Sequence, residues 1–267
     1  MSVSQWGRIL VDEIEGTDVP PGELWVWPLG GPSLAIRSSR ATAYIDPYTG
    51  SPDKGVWIRL VAVPYDPADL RRVDAVFSTH DHDDHCHRDT LAPIAANTAA
   101  RFIGPASSAK KMRGFGLPTN RVVPAKDGDT FTFGDVSVQA AEIVDHSDPT
   151  SLGWLVSVAG GPTFFDGGDA MYSREHFVKA AARGPIAAAA LSIAGLLPDG
   201  RKIYMDAADL VRAAEDLGAR LLIPKHWDLW RNVAMDPWEV VLAAQARRAT
   251  FAVRIPRLGE VIRLGRT

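Results

Sequence analysis

Thr79-His80-Asp81-His82-Asp83-Asp84-His85 crowds imidazoles and carboxylates into consecutive positions. The residues just before it, Val73-Asp74-Ala75-Val76-Phe77-Ser78, read as a buried strand, so the donors begin where a strand ends, on a rigid rim. His80 and His82 stand two apart in an extended chain, which points both side chains to one side. Asp84 and His85 follow as the chain turns and reach back toward a second point close by. Imidazole nitrogens and carboxylate oxygens suit Zn²⁺, Mn²⁺ or Fe²⁺. His80, His82, Asp84 and His85 together read as a two-metal site. A polar surface loop rich in His and Asp is the plainer alternative, and four donors in so short a run weigh against it.

Three later segments repeat the geometry. Val136 to Val144 alternates apolar residues and delivers Asp145-His146; Pro162 to Asp166 runs through Gly167-Gly168 to Asp169; Ala219 to Pro224 ends in Lys225-His226. Each donor sits just past the carboxyl end of an expected strand, where sites in α/β proteins collect. Five of the seven histidines occupy such positions. Asp166 could replace Asp169 as a donor, but the glycine pair before Asp169 suits a close backbone approach and favours Asp169.

At 267 residues the chain can bury a full core. No repeat, low-complexity tract or linker divides it, and residues 1–267 read as a single domain. Apolar and charged fractions of 46% and 23% are ordinary for a globular protein. The net charge of −3 gives no footprint for long nucleic acid. A small-molecule substrate is the expected partner, with homo-oligomerisation left open. No apolar run approaches ~20 residues, so no membrane span is expected. Charges at Arg8, Asp12, Glu13 and Glu15 leave no secretory apolar segment, so the expected location is cytoplasmic. The single Cys86 reads as packed, and His87 and His176 as surface or structural residues.

Leu24–Trp27, 33–37 and 41–46 read as an antiparallel meander, and 47–69 as a long loop near the site. Arg88 to Ala100 looks helical and leads to Phe102-Ile103. Strands are expected at 136–142, 152–158, 162–165 and 186–193. Asp206, with Asp209 three positions on and Gly218 at the end, brackets a helix, and 238–248 forms another. Strand-rich halves with helices between them suggest an α/β fold of two sheets face to face, covered outside by helices.

The pattern His80-x-His82-x-Asp84-His85, with His146, Asp169 and His226 downstream, resembles the metallo-β-lactamase superfamily, which implies a four-layer αββα sandwich. Asp12-Glu13-Ile14-Glu15 through Pro21-Gly22 and Trp27-x-Leu29-Gly30 resemble the start of the L-ascorbate-6-phosphate lactonases. So do Ser78 to His82, Phe102-Ile103-Gly104-Pro105, Gly168-Asp169 and Ile223-Pro224-x-His226-x-Asp228-x-Trp230. The resemblance runs from about Val11 to Val240. The chain is shorter than those lactonases and lacks segments they carry around the middle and at the C-terminus. The metal chemistry therefore carries over further than the substrate.

The resemblance implies that His80, His82 and His146 hold a first metal, that Asp84, His85 and His226 hold a second, and that Asp169 bridges them. Either Zn²⁺ or Mn²⁺, one ion or two, fits such donors. The implied enzyme is a metal-dependent hydrolase whose metal-activated hydroxide attacks a small ester, foremost a lactone, with or without a phosphate. Asp84 is the candidate catalytic residue, orienting the nucleophile or passing on its proton. Asp228 is expected to accept the other N–H of a ligating imidazole. Lys225, Trp227 and Arg231 are the substrate-binding candidates, with Trp57, Tyr65 and Trp230 on the presumed rim and Trp25, Trp27 and Trp154 in the core. The alternative activity is a phosphodiesterase on a cyclic nucleotide or other small phosphodiester. A scaffold that binds without turnover is disfavoured, since no donor is missing.

Overall fold

In the first half of the chain, apolar residues occupy both faces of short strands, and this forces each strand to be covered twice. The computed structural model describes residues 6–50, 57–197 and 199–265. It begins with α1 (Ile9–Gly16), β1 (Leu24–Pro28), β2 (Leu34–Arg37) and β3 (Thr42–Ile45), the last three pairing as the expected antiparallel meander. Then come β4 (Ala75–Phe77), α2 (Arg88–Asn97), β5 (Arg101–Gly104), α3 (Ala106–Gly114) and β6 (Val122–Pro124). On β1, Leu24 and Val26 face the second sheet while Trp27 faces the helices; on β4, Ala75 and Phe77 face one way and Val76 the other.

The second half holds β7 (Thr130–Phe133), β8 (Val136–Glu142), β9 (Leu152–Val158), β10 (Thr163–Asp166), α4 (Arg174–Ala181) and β11 (Ala188–Ser192). It continues with α5 (Ala207–Leu217), β12 (Leu221–Lys225), α6 (Trp238–Arg247), β13 (Ala252–Val253) and β14 (Ile262–Leu264). The strands form two seven-stranded sheets, β14-β1-β2-β3-β4-β5-β6 and β13-β12-β11-β10-β9-β8-β7. Between them lies a core that includes Phe77, Trp154, Val156, Phe164 and Ile223. The outer face of the first sheet packs on α1–α3, and that of the second on α4–α6. The architecture is a four-layer αββα sandwich, as the sequence implied.

Strand direction then places the site. β3 and β4 run parallel, as do β10, β11 and β12. β8 is antiparallel to β9, and β9 to β10, so β8 shares the direction of β10. The carboxyl ends of β8, β10 and β12 therefore emerge on one edge of the second sheet. Backbone bonds tie this edge to the first sheet: Leu152 N–H donates to Thr79 O at 2.9 Å and His226 N–H to Gly31 O at 3.1 Å.

The bracket read around α5 is present. The Asp206 carboxylate accepts from Asp209 N–H, and Gly218 ends the helix with φ +60°. Helices α1, α3 and α4 were not expected from the sequence, and none of the three has a side-chain N-cap bond to announce it. The expected loop at 47–69 holds a bridge between Arg59 and Trp230 and a 3₁₀ turn at Pro67–Asp69; residues 51–56 lie outside the described residues. Among the described residues no helix is long and apolar enough to cross a membrane.

Asp206→Ala removes the acceptor that starts α5 and is expected to cost about 1 kcal/mol. Thermal unfolding should then show a melting temperature lower by about 2–4 °C.

Candidate metal centre

Thr79 and His80 leave β4 as its ladder stops, and the chain folds back so that His85 N–H and Cys86 N–H both donate to His82 O. Two donor groups result. His80, His82 and Asp169 form one and Asp84, His85 and His226 the other, with the donor atoms in each within 4.8 Å of one another. Asp169 lies between the groups: its Oδ2 is 3.1 Å from His85 Nε2 and 3.8 Å from the Nε2 atoms of both His80 and His226. His226 Nε2 stands 3.3 Å from His85 Nε2 and 3.4 Å from Asp84 Oδ2. His80, His85, Asp169 and His226 are fully or almost fully buried.

A residue the sequence reading passed over orients this set. Asp46 directly follows β3 with φ +45°, and its Oδ1 accepts from Thr79 N–H at 2.8 Å. Its Oδ2 accepts from the Thr79 hydroxyl at 2.7 Å and lies 2.8 Å from His85 Nδ1. The Thr79 hydroxyl, its proton committed to Asp46, sits 3.0 Å from His80 Nδ1. Both imidazoles thereby have Nδ1 held from behind and direct Nε2 toward Asp169, an arrangement common around ligating histidines. The signal was available: Asp46 is another carboxylate just past a strand end.

Glycine permits the approach from the other sheet. Gly168 has φ +53°, and a Cβ there would lie 2.8 Å from Thr79 Cβ. A Cβ on Gly167 would meet Leu191 Cδ2 at 2.5 Å. Gly168 thus lets the strand end carrying Asp169 close onto the turn carrying His80, while Gly167 makes room for Leu191 within its own sheet.

The electrostatics suit cations. Burial and the neighbouring His85 push the His80 pKa well down. Burial also works against the His85 imidazolium, but Asp169, Asp46 and Asp84 outweigh it and hold that pKa well above its ordinary value. Burial opposes ionisation of Asp84 and Asp169, yet His85 and His226 keep both carboxyls below the usual range. Oδ1 of Asp169 and Nε2 of His80 are buried without a hydrogen-bond partner. Carboxylates gathered this deeply are costly unless cations pair with them. Oxygen and imidazole donors in this number fit divalent metal.

His146 is not gathered with either group. Its ring centroid is 5.9 Å from that of His82, and the residue is exposed. Asp145 explains the placement: its Oδ1 accepts from the Ser147 N–H, the Ser147 hydroxyl and the Asp148 N–H, closing a turn. That turn presents Ser147 Oγ, rather than His146, to His82 Nε2 at 2.8 Å.

Other expectations need correction. Asp228 does not meet an imidazole; its Oδ1 accepts from Gly31 N–H at 2.9 Å, and His226 Nδ1 has no partner. Lys225 is buried and pairs with Asp166 at 2.9 Å, so neither is free for substrate or metal. Trp227 packs on the outer helical cluster, because residues flanking His226 in sequence project away from it. Arg231 is exposed outside the site cavity, since Trp230 before it turns inward to donate to Asp84 Oδ2 at 2.7 Å. Tyr65 is fully buried in the outer core and Trp25 is half-buried, while Trp27 and Trp154 are core. Cys86 is packed, its thiol pushed up to about 12 by burial.

Above the donors lies a cavity of about 550 Å³. Its polar lining includes Asp81, His82, Asp83, Asp84, Lys111 and His146; Tyr48, Trp57, Leu197, Ile203, Tyr204 and Trp230 line the remainder. Burial and the nearby Asp169 and Asp84 carboxylates keep the Tyr204 phenol protonated far above its ordinary pKa. Sequence reading found Trp57 and Trp230 on this rim. It missed Tyr48, Lys111 and Tyr204, which no motif marks.

A sequence profile described as "Beta-lactamase superfamily domain" matches residues 43–227. The chain is 29% identical to "Probable L-ascorbate-6-phosphate lactonase UlaG" of Escherichia coli (strain SMS-3-5 / SECEC) over 280 aligned positions, covering 88% of this chain and 78% of that one. An isothiocyanate hydrolase from Delia radicum gut bacteria superimposes with TM-score 0.73 at 16% identity, over 91% of this chain and 100% of its own. Igni18, a metallo hydrolase from Ignicoccus hospitalis KIN4/I, gives 0.69 at 16% over 91% and 98%. At such identity these two structures share the fold.

Asp46→Ala should lower divalent-metal affinity about 10–100-fold, read by titrating metal into stripped protein, because the His85 ring loses its anchor. Lys225→Met leaves Asp166 buried and uncompensated and should cost about 3–5 kcal/mol in urea unfolding, against less than about 0.5 for Arg231→Ala.

Proposed function

We propose that this chain, which belongs to the β-lactamase superfamily and is a metal-dependent hydrolase, acts on a small ester and opens a lactone ring. The meeting of two donor groups around the buried Asp169, beneath a cavity, carries the hydrolytic part of this reading. The lactone part is supported by the similarity to a protein named as a lactonase.

His80, His82 and Asp169 would hold one divalent ion and Asp84, His85 and His226 another, with His146 at the rim beside His82. The donors, nitrogen and oxygen without thiolate, suit Zn²⁺ or Mn²⁺. When bound, such ions supply Lewis acidity, bringing the pKa of water toward neutrality and offsetting charge on a carbonyl oxygen.

The chain's own groups supply the rest. Asp84, fixed by the Trp230 indole and lining the cavity, is placed to accept a hydrogen bond from a water and turn its lone pair toward the ester carbon. Addition of that water cleaves the ring C–O bond, and its protons are shared between the new carboxyl and the released hydroxyl. Tyr204, whose phenol stays protonated, lines the same space beside Asp169. The aromatic walls restrict water around the reacting ester.

His82→Ala removes a donor from the rim of the core and should abolish turnover, with circular dichroism and melting temperature little changed; retained activity would count against the ligand assignment. Metal-loaded protein should open lactones in a broad panel. Turnover of bis(p-nitrophenyl) phosphate with no lactone opened would replace the lactonase reading with a phosphodiesterase.

A further inference from the structure

We propose, building on the lactonase reading, that the preferred substrate is uncharged and carries an apolar chain, and that it is taken in preference to a phosphorylated lactone. The apolar part of the cavity is made by Tyr48, Trp57, Leu197, Ile203, Tyr204 and Trp230. Trp57 and Trp230 meet edge to face at 5.8 Å, and Tyr48 adjoins Trp230 at 6.0 Å, giving a continuous aromatic wall next to Asp84. These side chains pack on a buried cluster that includes Leu229 and Val233, which backs the wall from behind. The volume of about 550 Å³ accommodates a lactone ring with a tail.

Charge selects against phosphate. Asp81 and Asp83, neither of which belongs to a metal-donor group, line the cavity, and among the described residues Lys111 is its one lining cation. Lys111 Nζ is engaged, donating to Asp83 Oδ1 at 2.7 Å and to Asp81 O at 2.5 Å. The Arg59 guanidinium, packed over the Tyr48 ring, spends its nitrogens on the carbonyls of Val61, Gly50 and Ala62. A phosphate brings about −1.5 to −2 charges and needs Arg, Lys or clustered N–H donors to replace its hydration. An alkyl chain against the wall instead gains about fourfold in kcat/KM per methylene removed from water.

The test compares δ-decalactone, glucono-δ-lactone and 6-phosphoglucono-δ-lactone as substrates of the metal-loaded protein. Alongside, calorimetry measures binding of an alkyl δ-lactam, which keeps the shape of δ-decalactone but resists hydrolysis. The expected result is at least tenfold higher kcat/KM for δ-decalactone than for the phosphorylated lactone, with measurable lactam binding that Trp57→Ala weakens about tenfold. Preference for the phosphorylated lactone overturns the inference and leaves the lactonase reading standing. Lactam binding weakened by Trp57→Ala, with no lactone opened, supports the apolar pocket and removes the lactonase reading. Neither binding nor turnover overturns both.

Discussion

One carboxylate, that of Asp46, holds the rest of the centre in register. It accepts from the Thr79 backbone, the Thr79 hydroxyl and the His85 ring, and through Thr79 it also sets the His80 ring. Turns that carry donors are soft unless a rigid group fixes them, and here the fixing group directly follows a central strand. The left-handed backbone at Asp46 is strain concentrated at a functional position. Glycine at 168 is the counterpart on the second sheet, since any side chain there would collide with Thr79.

The two halves divide the work. The first sheet contributes a local motif, His80 to His85, whose donors differ in direction because the chain turns within it. The second contributes single residues from distant strand ends, Asp169 and His226. Such a centre forms only when both sheets are packed, so the inter-sheet core of Phe77, Trp154 and Phe164 and the donor geometry are coupled. The buried Lys225–Asp166 pair beside His226 extends that coupling from β12 to β10. Its neutral balance leaves the positive charge of Lys225 unavailable to the cavity.

Much of this was legible in the sequence because it is written locally. Alternation located β8, a cap and a terminal glycine located α5, and strand-end position located the donors on β4, β10 and β12. Asp228, Lys225 and Trp227 were misread for one shared reason: proximity in sequence to His226 was taken for proximity in space. Alternation sends the neighbours of an inward residue outward, and a turn fixed by Gly31 completes the separation. His146 shows the same limit, since an Asx turn at Asp145 decides which of two adjacent side chains meets His82. Tyr48, Lys111 and Tyr204 come from segments with no local signal and join the cavity through tertiary packing alone.

The pairing of β14 with β1 has a consequence for biogenesis. The first sheet draws its outermost strand from residues 262–264, while its neighbour in the ladder is residues 24–28. During synthesis on the ribosome, β1 therefore waits with an unpaired edge until residues 262–264 have emerged. An open edge of that kind invites pairing with other nascent chains. A strand more than two hundred residues further along the chain thus seals the edge of β1.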